Sequence, residues 1–226
     1  MADAMESAID RLEGDDELWI GIVTHTGPAF CAGADLKEIA AGNAGGLWTK
    51  RGGFGGIVLR ERTKPLIVAV DGHAVAGGTE IALACDLRVA STGTVFGIPE
   101  VRRSLVAAAG GLVRLPRVLP PAIAMELAIT GDTISAERAY HFGMINDLCE
   151  PGTAVETAMT LAHRVLANAP LAVRASRRLI LEAPEQTDAE GMSAASAAMS
   201  GLSSSEDYSE GPRAFIEKRA PEWKGR

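Results

Sequence analysis

No stretch of this 226-residue sequence approaches the roughly 18 consecutive apolar residues that a transmembrane helix needs, so no membrane partner is expected. Its first residues, MADAMESAIDRLEGDD, have neither a basic n-region nor an apolar h-region. Those are the marks of a signal peptide, and the expected address is cytoplasmic. Cysteine is scarce. Cys31, Cys85 and Cys149 are odd in number, far apart and set among small or apolar neighbours, which predicts reduced core thiols in place of a disulfide framework. His25, His73, His141 and His163 have no ligand spacing among themselves or with the cysteines, so no metal is expected. Positive charge is in deficit as well, with 22 Lys and Arg against 29 Asp and Glu and a net charge of −7. That balance argues against nucleic acid, while Arg102–Arg103 or the basic residues of 174–178 could still meet an anionic ligand. Ser104 lies in no nucleophile-elbow pattern, and no Ser-His-Asp set can be assembled from motifs.

Glycine, by contrast, is plentiful at 25 residues, and the stretch AVDGHAVAGGTE at 69–80 concentrates it. Val68, Ala69 and Val70 close a buried strand, Gly72 turns the chain, and Gly77 with Gly78 lets the backbone approach a ligand before Thr79 and Glu80 open a helix. The first turn of a helix has N–H groups without intrahelical partners and a dipole that favours negative charge. A developing oxyanion suits such a place. Glu80 then stands beside it, although a glutamate there also simply complements the dipole. The same order of strand, small-residue turn and helix recurs at TGPAFCAGADLK, 26–37, with a helix expected over 35–41. Two such turns could supply one backbone N–H each.

Periodicity organises the rest. A helix is expected over 4–12, then short β-branched strands over 19–24, 65–70, 87–90 and 144–149, of the kind buried on both faces of a mostly parallel sheet. Helices over 79–85, 121–130 and 135–142 alternate with them, which calls for α/β architecture with crossovers. The glycine-rich segment 42–56 reads as a mobile loop running into a helix of about 57–62. An extended piece, VFGIPE at 95–100, precedes a small-residue run over 107–111 packed tightly against something, and Pro116 and Pro120–Pro121 interrupt the chain beyond that run. Residues 1–151 thus form the mixed core. The remainder, 152–226, is helical over 155–167, 170–181, 189–205 and 210–219 with a tail after Pro221, and suits an oligomer interface or a plain helical cap.

Glu80 and Glu100 stand 20 residues apart, each after a turn shaped by glycine or proline. Two carboxyl groups held near an apolar pocket can share a proton and a water once burial and mutual repulsion separate their pKa values. With two converging N–H groups, this is a kit for enolate chemistry on a thioester. Cys31 is read as a packing residue, Asp35 and Asp86 as caps, and His73 as a structural hydrogen-bonder.

FCAGADLKEI at 30–39, AVDGHAVAGGTEIALACDLRVAS at 69–91 and FGIPEV at 96–101 together resemble the enoyl-CoA hydratase/isomerase (crotonase) superfamily. The resemblance continues through GGLVRLPR, AMELAITGDTISAERAYHFGMIN and AFIEKRAPEWKG, from Trp19 onward. It implies a crotonase-like α/β spiral of ββα turns with a helical C-terminal region, assembled as trimers that commonly pair into hexamers. It further implies an oxyanion hole formed by the N–H groups of Ala34 and Gly77. Glu80 and Glu100 match the two catalytic glutamates of the hydratases, Glu80 activating water and Glu100 delivering a proton to Cα. Ala32, Asp35 and Leu36 would lie along coenzyme A, and Phe215 with Lys218 would reach it from a neighbouring subunit.

The implied reaction is reversible addition of water across the trans-2 double bond of an acyl-CoA, with coenzyme A as part of the substrate and no cofactor. Related reactions stay open: Δ3,Δ2-isomerisation, a carnitinyl-CoA dehydratase type, which LVRLPRVLPPAIAMELAITGD also resembles, or a binding protein without turnover. Two departures from the family pattern bear on this. The usual opening strand and Asn-Arg-Pro-type turn do not precede residue 4, which implies either a start assigned too late or weaker binding of the adenine and phosphate part of coenzyme A. Where typical members have a glycine whose N–H helps to hold the catalytic water stands Ala108, whose methyl group narrows the pocket.

Overall fold

The apolar runs become the inner strands of a parallel sheet. In the computed structural model, which describes residues 1–42 and 44–226 and only the backbone of Leu36, Ile39 and Ala44, the chain opens with α1 (Ala2–Gly14). There follow β1 (Gly21–Val23), α2 (Leu36–Ala40), the hairpin β2 (Trp48–Thr49) and β3 (Gly53–Phe54), β4 (Leu66–Val70), β5 (Ala74–Val75) and α3 (Gly77–Ala84). Next come β6 (Leu87–Ser91), β7 (Val95–Gly97), a 3-10 turn over Pro99–Arg103, α4 (Gly111–Val118), α5 (Pro121–Thr130), β8 (Thr133–Ser135), α6 (Ala136–His141) and β9 (Asp147–Cys149). Helices α7 (Ala154–Leu166), α8 (Pro170–Glu182), α9 (Asp188–Leu202) and α10 (Glu206–Glu217) complete the chain. Among the described residues no helix is long and apolar enough to cross a membrane.

Strands β1, β4, β6 and β9 lie in that order, all parallel, with Ile22 beside Ile67, Val68 beside Arg88 and Ala90 beside Leu148. A second sheet runs β5-β7-β8, and Cys31 bridges to Ala74 on its β5 side. Each long strand therefore leads to a short piece in the second sheet and then to a helix: β1 to Cys31 to α2, and β4 to β5 to α3. This is a spiral of ββα turns. Strand β4 explains why its sequence is apolar without alternation: Leu66, Val68 and Val70 face one core, while Ile67 and Ala69 face another made with Ala154, Ala158, Leu161 and Ala162 of α7.

Side-chain ties join distant segments. Asp86, just after α3, accepts from the Leu66 amide at 2.8 Å, pairs with Arg62 at 2.5 Å and pairs with Arg177 of α8 at 2.9 Å. Sequence suggested only a cap; the structure makes Asp86 an ionic link between the sheet and α8 of the helical third. Lys64, itself buried, donates to the carbonyls of Leu12 and Asp15 at 2.7 Å each and so closes the end of α1.

Four expectations are corrected. Residues 57–62 form no helix: Ile57 and Val58 both donate to the Phe54 carbonyl and Leu59 donates to Gly52, because Gly53, Gly55 and Gly56 take positive φ and wind the chain into tight turns against α1. The preceding loop, of which Asn43 lies outside the described residues, contains a hairpin fastened to α1: the Glu6 carboxylate accepts from Thr49 Oγ1 at 2.5 Å and from the Gly52 amide at 2.7 Å. Pro116 sits inside α4 near its end, where the missing N–H costs one bond and does not stop the helix before Val118. Helix α10 begins four residues earlier than its periodicity suggested, capped by Ser205. The tail after it is docked, with Asp207 accepting from the amides of Lys224 and Gly225.

Burial alone would raise the Asp86 carboxyl, but Arg62 and Arg177 outweigh it and hold the group below the usual carboxylate range. The associated stability is present above the unfolded value of about 3.9 and is lost as pH falls through the lower folded value. Asp86→Asn should cost about 3 kcal/mol near neutral pH and flatten the acid side of the stability curve below about pH 4. Urea unfolding across that range reads both effects, and an unchanged acid limb would contradict the assignment.

Candidate functional site

Two small-residue turns meet at the centre of the molecule. The amide of Cys31 donates to the His73 carbonyl at 3.1 Å and that of Val75 to the Cys31 carbonyl at 2.9 Å, so the stretches leading to α2 and α3 run side by side. Gly33, at φ +96°, lies so close to the second turn that a Cβ on it would come 2.7 Å from Ala76 Cβ and 3.2 Å from the Gly77 nitrogen. Ala76 itself has φ 53° and ψ −128°, a conformation costing about 1–3 kcal/mol in a residue with a side chain, and its amide donates to Gly97 O at 2.8 Å. That strained residue sets the direction in which Gly77, the first residue of α3, presents its N–H. Among the described residues neither the Gly77 nor the Ala34 amide has an acceptor within the chain.

The glycine pair is also required by the packing of the protein itself. A Cβ on Gly77 would fall 2.3 Å from the Phe54 ring, and one on Gly78 would fall 2.1 Å from Cys31 O. Both glycines admit neighbours from the protein itself. Thr79 adds a fastening: its hydroxyl donates to Ala74 O at 2.6 Å and accepts from the Gly97 amide at 2.9 Å, clipping α3 to β5 and to β7. Three residues beyond Gly97 comes Glu100, so one hydroxyl helps to set the spacing of the two glutamates.

Glu80 is 3% exposed. Its Oε1 accepts from the Gly111 amide at 2.9 Å, and the Ala109 amide also contributes. Burial pushes the Glu80 carboxyl up; the two amides and the Arg114 charge oppose it, and burial prevails. Glu100, on the 3-10 turn, is half-buried, and its Oε2 is out of water without a hydrogen-bond partner among the described residues. Burial pushes it up, its own amide opposes this, and the Glu80 charge pushes it further up. The two carboxyl groups therefore feel each other, but only Glu80 has two amides from another segment and a guanidinium to stabilise an anion. Of the two, Glu80 is the better placed to hold a negative charge. A protonated acid, a carboxylate and two free amides can together polarise a carbonyl and move a proton to or from the adjacent carbon.

The other predicted residues are spread more widely. Ala32 and Asp35 are exposed at the mouth of the first turn, and Asp35 accepts from the Lys37 amide at 2.8 Å, which makes it a cap for α2. The side chain of Leu36 lies outside the described residues. Phe215 is 85% exposed on α10, and Lys218 closes that helix at φ 54°, so in a single chain both face solvent. Ala108 is exposed between buried Ala107 and Ala109. His73 is exposed and contributes its carbonyl, while burial pushes the Cys85 thiol up to about 12, leaving an inert core residue. Sequence reasoning missed the grip of Gly111 and Ala109 on Glu80; the signal was the small run 107–111, whose tight packing partner is Glu80 itself. A separate cleft of about 350 Å³, lined in part by Thr24, His25 and Asp71, contains neither glutamate.

A family described as enoyl-CoA hydratase/isomerase matches residues 1–226. Carnitinyl-CoA dehydratases of Salmonella typhi and Proteus mirabilis are 39% and 38% identical to the chain, covering 99% and 96% of it and 88% and 85% of their own lengths. Among solved structures, enoyl-CoA hydratase EchA1 from Mycobacterium marinum aligns with a TM-score of 0.94 at 48% identity, and an enoyl-CoA hydratase from Mycobacterium tuberculosis H37Rv with 0.95 at 47%. Each alignment covers 100% of this chain and 88% of the other.

If the Glu80 charge is what lifts Glu100 beyond its burial, Glu80→Gln should move the Glu100 titration downward. Carboxyl carbon NMR across the acid range measures this. A Glu100 midpoint that stayed in place or rose would show that the two groups do not share a site.

Proposed function

Since the chain belongs to the enoyl-CoA hydratase/isomerase family, we propose that it is a hydro-lyase that adds water reversibly across the trans-2 double bond of an acyl-CoA thioester. The N–H groups of Ala34 and Gly77 donate to the thioester oxygen as it gains charge. Glu80, as carboxylate, takes a proton from water while the oxygen attacks Cβ; the electrons of the double bond move onto Cα and the carbonyl. Glu100 then gives its proton to Cα, and the product is a 3-hydroxyacyl-CoA. The proton traffic passes through two carboxyl groups and water, so the reaction calls for no cofactor beyond the coenzyme A that the substrate carries.

The observation that carries this reading is the asymmetry of the pair, with Glu80 gripped by the Gly111 amide and Glu100 half-buried, its Oε2 without a hydrogen-bond partner among the described residues. One acid and one base are poised at the same time, which hydration requires and a one-acid proton shuttle does not. Ala32, Asp35 and Leu36 are assigned to the coenzyme A side of the site. Residues 152–226 are assigned to assembly as a homotrimer or a hexamer of paired trimers, in which Phe215 and Lys218 reach a neighbour's coenzyme A. Cytoplasmic action in fatty-acid β-oxidation belongs to the same proposal. A second reading, dehydration of carnitinyl-CoA, is favoured by the names of the curated relatives at 39% identity and uses the same two glutamates in reverse.

Replacing either glutamate by Gln should lower kcat for crotonyl-CoA hydration about a thousandfold while leaving acetoacetyl-CoA affinity within about threefold, since the proton step alone is lost. Wild-type turnover by Glu80→Gln would end the hydratase reading, and no calorimetric signal with acetoacetyl-CoA would favour a binding protein that has lost its ligand. Comparing kcat/KM for crotonyl-, longer enoyl- and carnitinyl-CoA separates the two readings, and exchange of the substrate hydroxyl oxygen with solvent water separates either from isomerisation. Sedimentation should give three or six times the 23.6 kDa chain mass. A monomer at micromolar concentration would remove the roles given to Phe215 and Lys218.

A further inference from the structure

Arg114 sits in the first turns of α4, half-buried, and turns back toward the segment before its own helix. Nη1 donates to Ala109 O at 3.3 Å and Nη2 to Val58 O at 2.5 Å. Between the two arms the guanidinium lies on Gly110: a Cβ there would be 2.0 Å from Nη1, and Gly110 takes φ +103°. The carbonyl that Arg114 holds and the Gly111 amide that Glu80 holds belong to consecutive peptides on either side of Gly110. One side chain therefore fixes the turn from behind while the carboxylate is bound at its front. The Val58 contact extends the same hold to the segment that follows Phe54, whose ring packs on Gly77.

The charge is as telling as the geometry. Among the described residues Arg114 forms no salt bridge. The groups that act on it are Arg117 on its own helix, Arg62 before β4, Cys85 at the end of α3, and Glu80. Of these Glu80 alone is an acid of ordinary strength. On the other side, Glu80 is faced by Arg114 from α4 and by the carboxyl of Glu100 from the 3-10 turn.

We propose that Arg114 is a positioning residue for Glu80: it locks the Ala109–Gly111 turn that grips the carboxylate and stands behind it as an uncancelled positive charge, so that the proton shared by the two glutamates resides on Glu100. The proposal rests on Glu80 and Glu100 acting as the acid–base pair. Without Arg114 the preference between them weakens, Glu80 retains a proton at higher pH, and the base is absent when water has to be activated.

Carboxyl carbon NMR of the whole protein tests this without turnover, with Glu80→Gln and Glu100→Gln identifying the two resonances. Arg114→Met, similar in length but uncharged, should raise the Glu80 midpoint by on the order of one pH unit, and Arg114→Lys, which keeps the charge, should restore most of that shift. The acid limb of kcat/KM for crotonyl-CoA should move with it, while acetoacetyl-CoA affinity changes little. If Arg114→Met does not fold, Arg114→Gln, a neutral donor, gives the same measurement. A Glu80 midpoint unmoved in a folded neutral variant overturns the proposal, as does a lysine variant that behaves like the neutral ones. A protein that fails to hydrate any enoyl-CoA yet shows the predicted NMR shifts would overturn the proposed activity and leave the positioning role standing.

Discussion

A carboxyl group withdrawn almost wholly from water must be given partners, and Glu80 receives its partners from a segment 31 residues away, through the Gly111 amide. That one interaction ties the first turn of α3 to the turn before α4. Much of the surrounding architecture can be understood as holding those two turns at the required separation. The parallel strands β4 and β6, buried on both faces, bring the turns that follow them to one side of the sheet. Gly33 and Gly78 remove the side-chain atoms that would keep the first and second spiral turns apart, and Thr79 sets the distance from α3 to the strand leading to Glu100.

Features carried by local pattern were legible in the sequence. Strand β4 could be read from five successive apolar residues, α5 from the proline at its first position, and α6 from the Ser135 cap; each lies within a residue or two of expectation. Glu80 and Glu100 could be read because a turn residue precedes each, and the motifs around them are dense enough to carry a family resemblance. The short strands β5 and β8 could not be read, because two or three residues have no periodicity and exist as strands only by pairing with β7. The same limitation hid the hairpin of β2 and β3, whose glycines suggested a free loop. Its order comes from Glu6, more than 40 residues earlier in the chain.

The helical third shows a related gap. Its helices were recognised from their apolar stripes, but beyond the apolar packing of α7 on β4 their attachment was not, since it rests on ionic and backbone contacts between distant residues. Arg177 of α8 reaches Asp86, and the Trp223 indole donates to Ala167 O at the end of α7. Asp207 and Glu210 are buried acids on α10 whose partners lie in the last residues of the chain and at Arg213 and Arg219. A tail that looks loose as a string of Pro, Lys and Gly is ordered because two carboxylates need its amides. Composition describes what a segment could do alone, whereas these residues are held by what another segment lacks.

Asp86 and the glutamate pair are all removed from water, yet they act on stability in opposite directions. Asp86 faces two guanidinium groups that more than offset its burial, so its charged form favours the folded chain at neutral pH. Glu80 and Glu100 are under-compensated: both are raised, the folded state binds their protons more tightly than the unfolded chain does, and folding loses stability as pH rises from about 4.3 toward their folded values. A protein selected for stability alone would have replaced such acids by neutral amides or supplied a second arginine. Full compensation of either glutamate would instead lower its pKa and remove that loss. The well-paired Asp86 link, together with the double-faced core around β4, supplies stability from parts of the fold that lie apart from the glutamate pair.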